Sequence, residues 1–217
     1  MTFQVFTGGA FAENGYLAVA EDGVTAVAID PGASAPEMAA DILGRGLDLT
    51  AILLTHAHLD HIEGIRAVLA AAPDTPIHLH PADRRLYDAS PAQAAAFGIH
   101  IAAPPPPDFE LAHGQRFEFG GTTFDVRFAP GHAPGHVIFH DAQAGVAFVG
   151  DVVFAGSIGR TDLPGGDFRT LMASIREQVL TLPDETRLLT GHGPETTVRH
   201  ERTGNPFLIP HYGGELA

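Results

Sequence analysis

The chain has 217 residues and a formal net charge of −14 with its histidines neutral, and it contains no cysteine. The absence of cysteine excludes disulfides, thiolate metal sites and a thiol nucleophile, so a bound metal must be held by histidine and carboxylate. The acidity argues against nucleic acid as a partner, because nucleic-acid-binding proteins carry a basic face. The N-terminus shows no signal peptide and no apolar run is as long as a membrane span. We therefore expect a cytoplasmic protein without a membrane partner.

Short apolar runs separated by turn residues predict strands in the first part of the chain. These runs cover residues 3–6, 15–19, 24–29, 51–54 and 77–79. Ser34 is predicted to cap a helix over residues 36–43, with Gly44 and Gly46 as its stop signals. Apolar residues at helical spacing predict a second helix over residues 62–72.

Residues 81–110 are less regular. Within them the prolines at positions 104–107 predict an extended surface connector between the two halves of the chain. A β-rich stretch follows, with glycine-containing turns between its strands. Its predicted strands cover residues 116–119, 122–128, 136–140 and 146–149. A further helix is predicted over residues 171–182, and a last strand over residues 187–190.

The order of these elements is β-rich, then α, then β-rich, then α. This order predicts an α+β protein in which two sheets pack face to face with helices outside, a four-layer αββα sandwich. No short repeat and no long linker interrupts the chain, so we predict a single domain over residues 1–217.

The densest cluster of chemically active side chains directly follows a predicted buried strand. Residues 56–61 read H-x-H-x-D-H and place His56, His58, Asp60 and His61 in one loop. Sites in layered α/β proteins form at such strand ends. Alternate residues of an extended loop point the same way, so His56 and His58 can hold one metal together. Asp60 and His61 begin the next turn and can face a neighbouring ion.

Three more candidates lie just past apolar strands and beside glycines, which let the backbone approach an ion closely. They are His132, Asp151 and His192. His132 would complete the first metal site and His192 the second, while the two oxygens of Asp151 would bridge the ions. Each ion would keep an open position, which is typical of catalytic sites. Such ligands suit two divalent ions, with zinc expected first and iron or manganese as alternatives.

This arrangement of motifs resembles the metallo-β-lactamase superfamily over nearly the whole chain. Finer motifs are similar to the short, single-domain bacterial form of the glyoxalase II (hydroxyacylglutathione hydrolase) group. They are the segments at residues 130–136, 150–162, 165–167, 191–196 and 201–207. The resemblance implies the αββα fold and the metal centre more firmly than it implies a substrate.

The resemblance also implies roles for residues around the ligands. Asp30 is implied to be an acid behind the ligands that orients a histidine, since metal-bound imidazoles usually donate their other N–H to such a group. The position of His136, four residues after His132, indicates either a similar supporting role or a purely structural one. Two roles stay open for Arg160, which stands where the group often has lysine. It either clamps a substrate carboxylate or forms an ordinary ion pair with Asp162 or Asp167.

Two departures from the group concern glutathione. The chain ends soon after His192, so we do not expect the C-terminal helical region that holds glutathione in longer members. Asp162 stands where the group often has a tyrosine, and a carboxylate cannot repeat the tyrosine's role. These departures leave the thiol carrier open, whereas thioester hydrolysis stays expected.

The leading hypothesis is a metal-dependent hydrolase of a small-molecule thioester, S-D-lactoylglutathione or a related acyl-thiol. A metal-bound hydroxide would attack the thioester carbonyl, with Asp60 and Asp151 as the catalytic carboxylates. The alternative is a persulfide dioxygenase on the same scaffold, which by resemblance uses one iron held near His56, His132 and Asp151. A non-catalytic metal-binding protein is a third class, and the complete ligand set argues against it.

Overall fold

Two six-stranded β-sheets lie face to face in the computed structural model, which describes residues 1–209. Residues 210–217, the end of the predicted domain, lie outside the described part. The first sheet contains, in spatial order, β1 (Thr2–Gly8), β2 (Glu13–Val19), β3 (Thr25–Ile29), β4 (Asp48–Leu53), β5 (Ile77–Leu79) and β6 (Phe109–Glu110). Strands β1 to β3 are antiparallel, whereas β3 to β6 run parallel. The carboxyl ends of the parallel strands therefore share one edge.

The second sheet is formed by strands from the later part of the chain. It contains β7 (Arg116–Phe119), β8 (Thr122–Phe128), β9 (Val137–Asp141), β10 (Val146–Gly150), β13 (Arg187–Thr190) and β14 (Thr196–Thr197). The small hairpin of β11 (Val153–Phe154) and β12 (Ser157–Ile158) follows β10. The spatial order is β14-β13-β10-β9-β8-β7, and β10 pairs with β13 in parallel.

Helices cover the outer face of each sheet. They are α1 (Ala35–Arg45), α2 (Leu59–Ile62), α3 (Ile65–Ala71), α4 (Arg84–Asp88), α5 (Ser90–Ala96), α6 (Phe168–Ser174) and α7 (Val198–Gly204). A 3-10 turn (Pro81–Asp83) precedes α4, and a π-helical turn (Ile175–Val179) extends α6. Among residues 1–209, none of the helices has the length and hydropathy needed to cross a lipid bilayer.

The apolar core consists of three layers, which confirms the predicted αββα sandwich. Phe124, Phe139 and Phe148 belong to the middle layer between the sheets. Met38 packs with other apolar side chains between the first sheet and its helices, and Leu171 does so for the second sheet. Because apolar layers lie on both faces of the central strands, these strands are buried almost throughout, as in sheets covered on both sides.

The predicted strands agree with the structure to within a few residues, but three helix predictions are wrong in detail. The predicted helix over residues 62–72 corresponds to α3, which begins only at Ile65, and a break separates it from the short helix α2 that ends at Ile62. The break follows from Gly64, whose N–H donates to the Pro31 carbonyl and whose Cα packs too close to Gly32 and Ala35 for any Cβ. Through this contact the loop before α1 packs directly against the chain between α2 and α3.

The capping predictions for α1 are half right. Gly46 has a φ of 62° and ends the helix as predicted. Ser34 does not cap it, because its hydroxyl donates to the Phe6 carbonyl instead, at 2.7 Å. The helix predicted over residues 171–182 begins earlier, where Asp167 accepts a hydrogen bond from the Thr170 N–H at 2.8 Å.

The interpretation of residues 81–110 also needs correction. The proline run at positions 104–107 leads into β6, an edge strand of the first sheet, so it does not join the two halves. The Tyr87 hydroxyl donates to the Pro105 carbonyl at 2.7 Å and holds the run against α4. Helices α4 and α5 occupy the stretch that looked irregular in the sequence.

Candidate metal centre

Loops from both sheets meet at one edge of the sandwich. The Val137 N–H at the start of β9 donates to the Thr55 carbonyl just after β4, at 2.8 Å. The Gly191 N–H after β13 donates to the Gly150 carbonyl at the end of β10, also at 2.8 Å. These backbone bonds bring the loops carrying the predicted ligands into one place.

The first group of ligand atoms comes from His56, His58 and His132. All three side chains are buried, and their candidate ligand atoms lie within 4.8 Å of one another. The Nδ1 of His58 lies 2.8 Å from the Nε2 of His132. Two ring nitrogens this close share either a proton or a cation.

The second group comes from Asp60, His61 and His192, again within 4.8 Å of one another. The Nε2 of His192 lies 3.2 Å from Oδ2 of Asp60, and the Nε2 of His61 lies 3.9 Å from the same oxygen. This group combines one carboxylate with two imidazoles, a donor set typical of zinc, iron and manganese.

The carboxylate of Asp151 lies between the two groups. Its Oδ2 is 3.3 Å from the Nε2 of His132 in the first group and 3.5 Å from the Nε2 of His192 in the second. Its Oδ1 is 3.4 Å from the Nε2 of His61. A single carboxylate that reaches both groups is placed to bridge two ions.

Oxygen partners on the far side of the rings orient four of the five histidines. The Nδ1 of each ring lies near an oxygen, which leaves Nε2 directed into the centre, where it can bind a metal once it carries no proton. The four contacts are His56 with Thr55 Oγ1 (3.1 Å), His61 with Asp30 Oδ2 (3.0 Å), His132 with the Arg160 carbonyl (2.8 Å) and His192 with the Phe11 carbonyl (3.0 Å). The fifth ring, His58, presents Nδ1 instead.

Unpaired buried atoms show that these residues fit a bound cation. The Nε2 atoms of His56 and His61 and the Oδ1 of Asp151 are buried without a hydrogen-bond partner among residues 1–209. Leaving a buried polar atom unpaired costs about 1–3 kcal/mol. All three atoms carry lone pairs, so divalent cations would satisfy them. A side chain at Gly191 would collide with both Asp151 and His61, so only glycine leaves room here.

Burial keeps the first group neutral. It lowers the pKa of His58 to about 3 and that of His56 well below its usual value, and the neighbouring histidines push both pKa values further down. Burial likewise lowers the pKa of His132. Neutral imidazole is the form that binds metals, so these three rings are ready ligands at neutral pH.

In the second group the histidine pKa values are raised instead of lowered, so its rings favour a positive charge. Burial lowers the pKa of His61, but the carboxylates of Asp151 and Asp60 reverse this and raise it well above its usual value. The same competition raises the pKa of His192 to about 10. A proton on these rings supplies positive charge between two carboxylates, and divalent ions that displace these protons would supply more of it.

Asp30 lies behind the centre, where the resemblance placed an orienting acid. Its Oδ1 accepts the Thr55 N–H at 2.7 Å, and its Oδ2 accepts the Thr55 hydroxyl at 2.5 Å and the His61 ring N–H at 3.0 Å. Because both oxygens are occupied, Asp30 is not free to bind a metal, although it lies near His56 and His61. Its φ of 48° is unusual for a non-glycine residue and marks backbone strain at the site.

His136 also lies behind the ligands. Its Nε2 accepts the backbone N–H of Asp151 at 3.0 Å, and its ring stacks on that of His56 at 4.7 Å between centroids. Burial keeps its pKa well below the usual value, so the ring is neutral and Nε2 can accept. These contacts position one ligand through its backbone and another through its ring.

Two supporting residues escaped the sequence analysis. Asp83 in the 3-10 turn accepts the Ala57 N–H at 2.9 Å and the Gly135 N–H at 2.5 Å, so one carboxylate ties the two loops that carry the first group. Glu13 is buried beside His61, 3.9 Å from its Nδ1, and burial raises the pKa of Glu13. Glu13 lies just before the strand predicted over residues 15–19, and neither Glu13 nor Asp83 belongs to a recognisable motif in the sequence.

A cavity of about 560 Å³ opens beside the metal centre. His58, Asp60, His132, Asp151 and His192 line its floor, and apolar side chains line most of the wall. Arg160, the expected substrate clamp, also borders it. Its guanidinium binds Asp162 through two parallel hydrogen bonds of 2.7 and 2.8 Å at the solvent-exposed rim.

Comparison with known proteins agrees with this geometry. A sequence profile of the metallo-beta-lactamase superfamily matches residues 8–192. The chain is 37% identical to a hydroxyacylglutathione hydrolase, GloC, of Haemophilus influenzae, over 96% of this chain and 98% of that protein.

Two solved structures are also similar. TTHA1623 in a di-iron-bound form is 44% identical with a TM-score of 0.86, over 94% of this chain and all of that one. The B3 metallo-beta-lactamase BLEG-1 is 38% identical with a TM-score of 0.89, over 96% of this chain and all of that one. Both similarities extend over nearly the whole chain.

Proposed function

The chain belongs to the metallo-beta-lactamase superfamily, and we propose that it hydrolyses a small-molecule thioester with two divalent metal ions. The observation that carries the proposal is the position of Asp151, whose oxygens lie within 3.5 Å of ring nitrogens from both ligand groups. S-D-lactoylglutathione is the first substrate to test, because the chain is similar to a hydroxyacylglutathione hydrolase. The proposed location is the cytoplasm.

The proposed metal ligands are the seven residues of the two groups and the bridge. They are His56, His58, Asp60, His61, His132, Asp151 and His192. Zinc remains our first expectation for the metal, and the similar di-iron protein supports iron as well. When bound, two such ions supply an acidified water and polarise a carbonyl.

The side chains of the chain itself would orient the reactants. Asp60 has its Oδ2 at the mouth of the second group, 3.2 Å from His192, where it can accept a hydrogen bond from the attacking water. Asp151 fixes the spacing of the two groups. A thiolate is a stable leaving group, so the reaction requires no nucleophilic side chain and no strong general acid from the protein.

The test is thioester hydrolysis by protein loaded separately with zinc, iron or manganese. Because the chain has no cysteine, a thiol-specific reagent reports the released thiol without background from the protein. We expect metal-dependent turnover that Asp151→Ala abolishes and Asp125→Ala, a half-exposed carboxylate on β8, leaves unchanged. Metal-loaded protein that hydrolyses no thioester would refute the proposal.

The persulfide dioxygenase is the alternative function. One group of three ligands with open positions would suffice for a single iron, and the first group with Asp151 offers such a set. The complete second group argues against it, because one iron would need only one of the two groups of ligands. One iron per chain and oxygen uptake with glutathione persulfide would favour this alternative.

A further inference from the structure

We propose that the cavity selects thioesters by an apolar group, which packs beneath an arch formed by the side chains of Phe11 and Phe97. The inference rests on the proposed thioester hydrolysis and names the substrate class of the same site. The substrate proposed here differs from a glutathione thioester, because the part that the protein recognises is an uncharged apolar group and not the charged thiol carrier.

The wall of the cavity has the composition of a site for an apolar group. Phe154 and Ile158 come from the β11–β12 hairpin, Leu86 from α4, and Leu163 and Pro164 from the loop after Arg160. Polar groups concentrate on the floor, at the metal centre. Binding sites that combine an apolar wall with a few convergent polar groups take ligands with one reactive polar end and an apolar body.

Phe11 and Phe97 close the wall from opposite sides. Their ring centroids are 5.0 Å apart with an interplanar angle of 83°, the edge-to-face arrangement that aromatic pairs prefer. Phe97 remains 58% exposed although it lies on the cavity. An apolar substrate group beneath the pair would bury the ring faces that now contact water.

The arch is held at a fixed position relative to the metal centre. The Phe11 carbonyl accepts the ring N–H of His192 at 3.0 Å, so the same residue orients a ligand and forms the arch. Ala12 has a φ of 51°, a strained conformation for a non-glycine residue, and this turn directs the Phe11 carbonyl and ring to their two partners. On the other side the Gln93 amide of α5 donates to the Ala57 carbonyl in the ligand loop, at 3.1 Å.

Charge argues against an anionic handle. Arg160 is the only arginine or lysine among the described residues that line the cavity. Its Nε and Nη2 groups already donate to the two carboxylate oxygens of Asp162. Glutathione carries two carboxylates that need cationic partners. The formal net charge of −14 also disfavours the approach of an anionic substrate.

The size of the cavity agrees with a small substrate. Its volume of about 560 Å³ lies within the usual range for small-molecule sites. With the thioester carbonyl at the floor, an aromatic or branched aliphatic acyl group would extend along the wall to the arch. The thiol side then faces solvent and needs no dedicated pocket.

The test compares thioesters that differ in one part at a time. Metal-loaded protein is assayed with phenylacetyl and lactoyl thioesters of N-acetylcysteamine, a neutral carrier, and with S-D-lactoylglutathione. Each kcat/KM is divided by the rate of alkaline hydrolysis of the same compound. We expect the phenylacetyl ester to exceed the lactoyl ester by about tenfold or more, the discrimination that an apolar pocket gives. We expect S-D-lactoylglutathione to show no advantage over the neutral lactoyl ester.

Two variants connect the preference to the arch. Phe97→Ala should reduce the phenylacetyl-to-lactoyl ratio to within about twofold, since it removes half of the arch. Phe109→Ala is the matched control, because Phe109 is 57% exposed on β6, away from the cavity, and should leave the ratio unchanged. Thioester turnover with the glutathione ester preferred, or with a ratio that Phe97→Ala does not change, would overturn the inference and leave the proposed function standing.

A separate measurement keeps the inference testable if no thioester is hydrolysed and the proposed function fails. Unreactive thioether analogues of the phenylacetyl and lactoyl compounds are titrated into the metal-loaded protein by calorimetry. Tighter binding of the phenyl analogue, by about tenfold in the unsubstituted protein and lost in Phe97→Ala, would still support the apolar site. Equal binding of the two analogues would overturn it.

Discussion

The floor and the wall of the cavity are built from different parts of the fold. The floor lies on loops at strand ends, where His56 and His61 are fully buried and an oxygen behind the ring orients each of these two side chains. The wall is formed by the short helices α4 and α5, by the hairpin of β11 and β12, whose strands have two residues each, and by a turn. Phe97 within the wall is mostly exposed. The chemistry therefore has a rigid frame, whereas the wall can change its side chains without disturbing the ligands.

Apart from the Phe11 carbonyl and the Gln93 amide, which contact the ligand residues or their loop, each region depends on its own set of tethers. Asp30, His136 and Asp83 hold the floor. The hairpin of the wall is held by α7 and the residue that follows it: Glu201 accepts the Gly156 N–H at 3.0 Å, and the Asn205 amide donates to the Ser157 carbonyl at 2.9 Å. Changes to the floor should therefore affect metal binding and kcat, and changes to the wall should affect KM and substrate preference.

The largest effect is expected for Asp151→Ala, which removes the bridge at the centre of the floor. The two groups would lose their shared ligand, and turnover should fall by about 1,000-fold or more because an interaction on which both ions depend is lost. Thiol release and metal content are the measurements. Asp125→Ala serves as the control, and two tightly held metals with normal turnover in Asp151→Ala would contradict the assignment.

Removal of metal by a chelator should destabilise the floor next. A ligand present at 100 times its dissociation constant stabilises a protein by about 2.7 kcal/mol. For a chain of this size that corresponds to a fall in Tm of about 5–10 °C on chelation. Differential scanning calorimetry with and without chelator measures it. Re-added metal should restore the Tm, and a chelator-independent Tm would show that the ions do not contribute to stability.

Asp83→Ala should weaken the floor through its loops rather than its ligands. Two buried N–H groups, of Ala57 and Gly135, would lose their acceptor, at about 1–3 kcal/mol in the free energy of unfolding. Metal affinity should fall by about 10- to 100-fold, as for other groups behind metal ligands. Denaturant unfolding and metal titration measure the two effects. Unchanged metal affinity would show that Asp83 does not support the metal ligands.

The Asp83 effect should depend on pH. Burial raises the pKa of Asp83 to about 6, so its stabilising contribution is fully present below its ordinary pKa and is lost as pH rises through about 6. The deficit of Asp83→Ala relative to the unsubstituted protein should therefore be larger at pH 5 than at pH 8. A deficit that grows with pH would contradict this sign.

Glu201→Gln should affect the wall alone. Glu201 is fully buried and accepts hydrogen bonds from Thr196, Asn205 and Gly156, so an amide would replace one of its two acceptors by a donor and force the Thr196 hydroxyl to reverse its hydrogen bond. We expect KM to rise by about three- to tenfold with kcat and metal content unchanged. Steady-state kinetics separates the two parameters, and a loss of metal would show that the wall and the floor are not independent.

The smallest effect is expected for Arg160→Ala. Its guanidinium is paired with Asp162 at the exposed rim, so kcat/KM for S-D-lactoylglutathione should change by less than about threefold. Arg84→Ala removes a comparable exposed ion pair, with Asp88, outside the cavity. A tenfold rise in KM for Arg160→Ala alone would support the clamp role that the sequence suggested.

Floor and wall also differ in how far the sequence predicted them. The ligands follow apolar strands with clear boundaries, such as the strand before His56, and the strand ends converge once the sheets form. The motif spacing therefore indicated which side chains would meet. The motif spacing did not indicate the residues that support these ligands. Asp83, for example, contacts the ligand loops only through tertiary packing.

The wall was not predictable from local patterns. Residues 81–110 show no sustained helical periodicity, and α4 and α5 form because Leu86 and Tyr87 pack on the first sheet and Gln93 bonds to the ligand loop. The Phe11–Phe97 contact joins residues far apart in the chain. Such pairs depend on the whole fold, so the substrate side of the site needed the structure.

The central claim is that two ligand groups share Asp151 and hold two metals. Elemental mass spectrometry on protein purified with added metal and then desalted tests it most directly, with His58→Ala and His192→Ala disrupting one group each. We predict about two metals per chain in the unsubstituted protein and about one in each variant. A single metal per chain that His58→Ala removes and His192→Ala leaves in place would contradict the dinuclear centre and favour the mononuclear alternative.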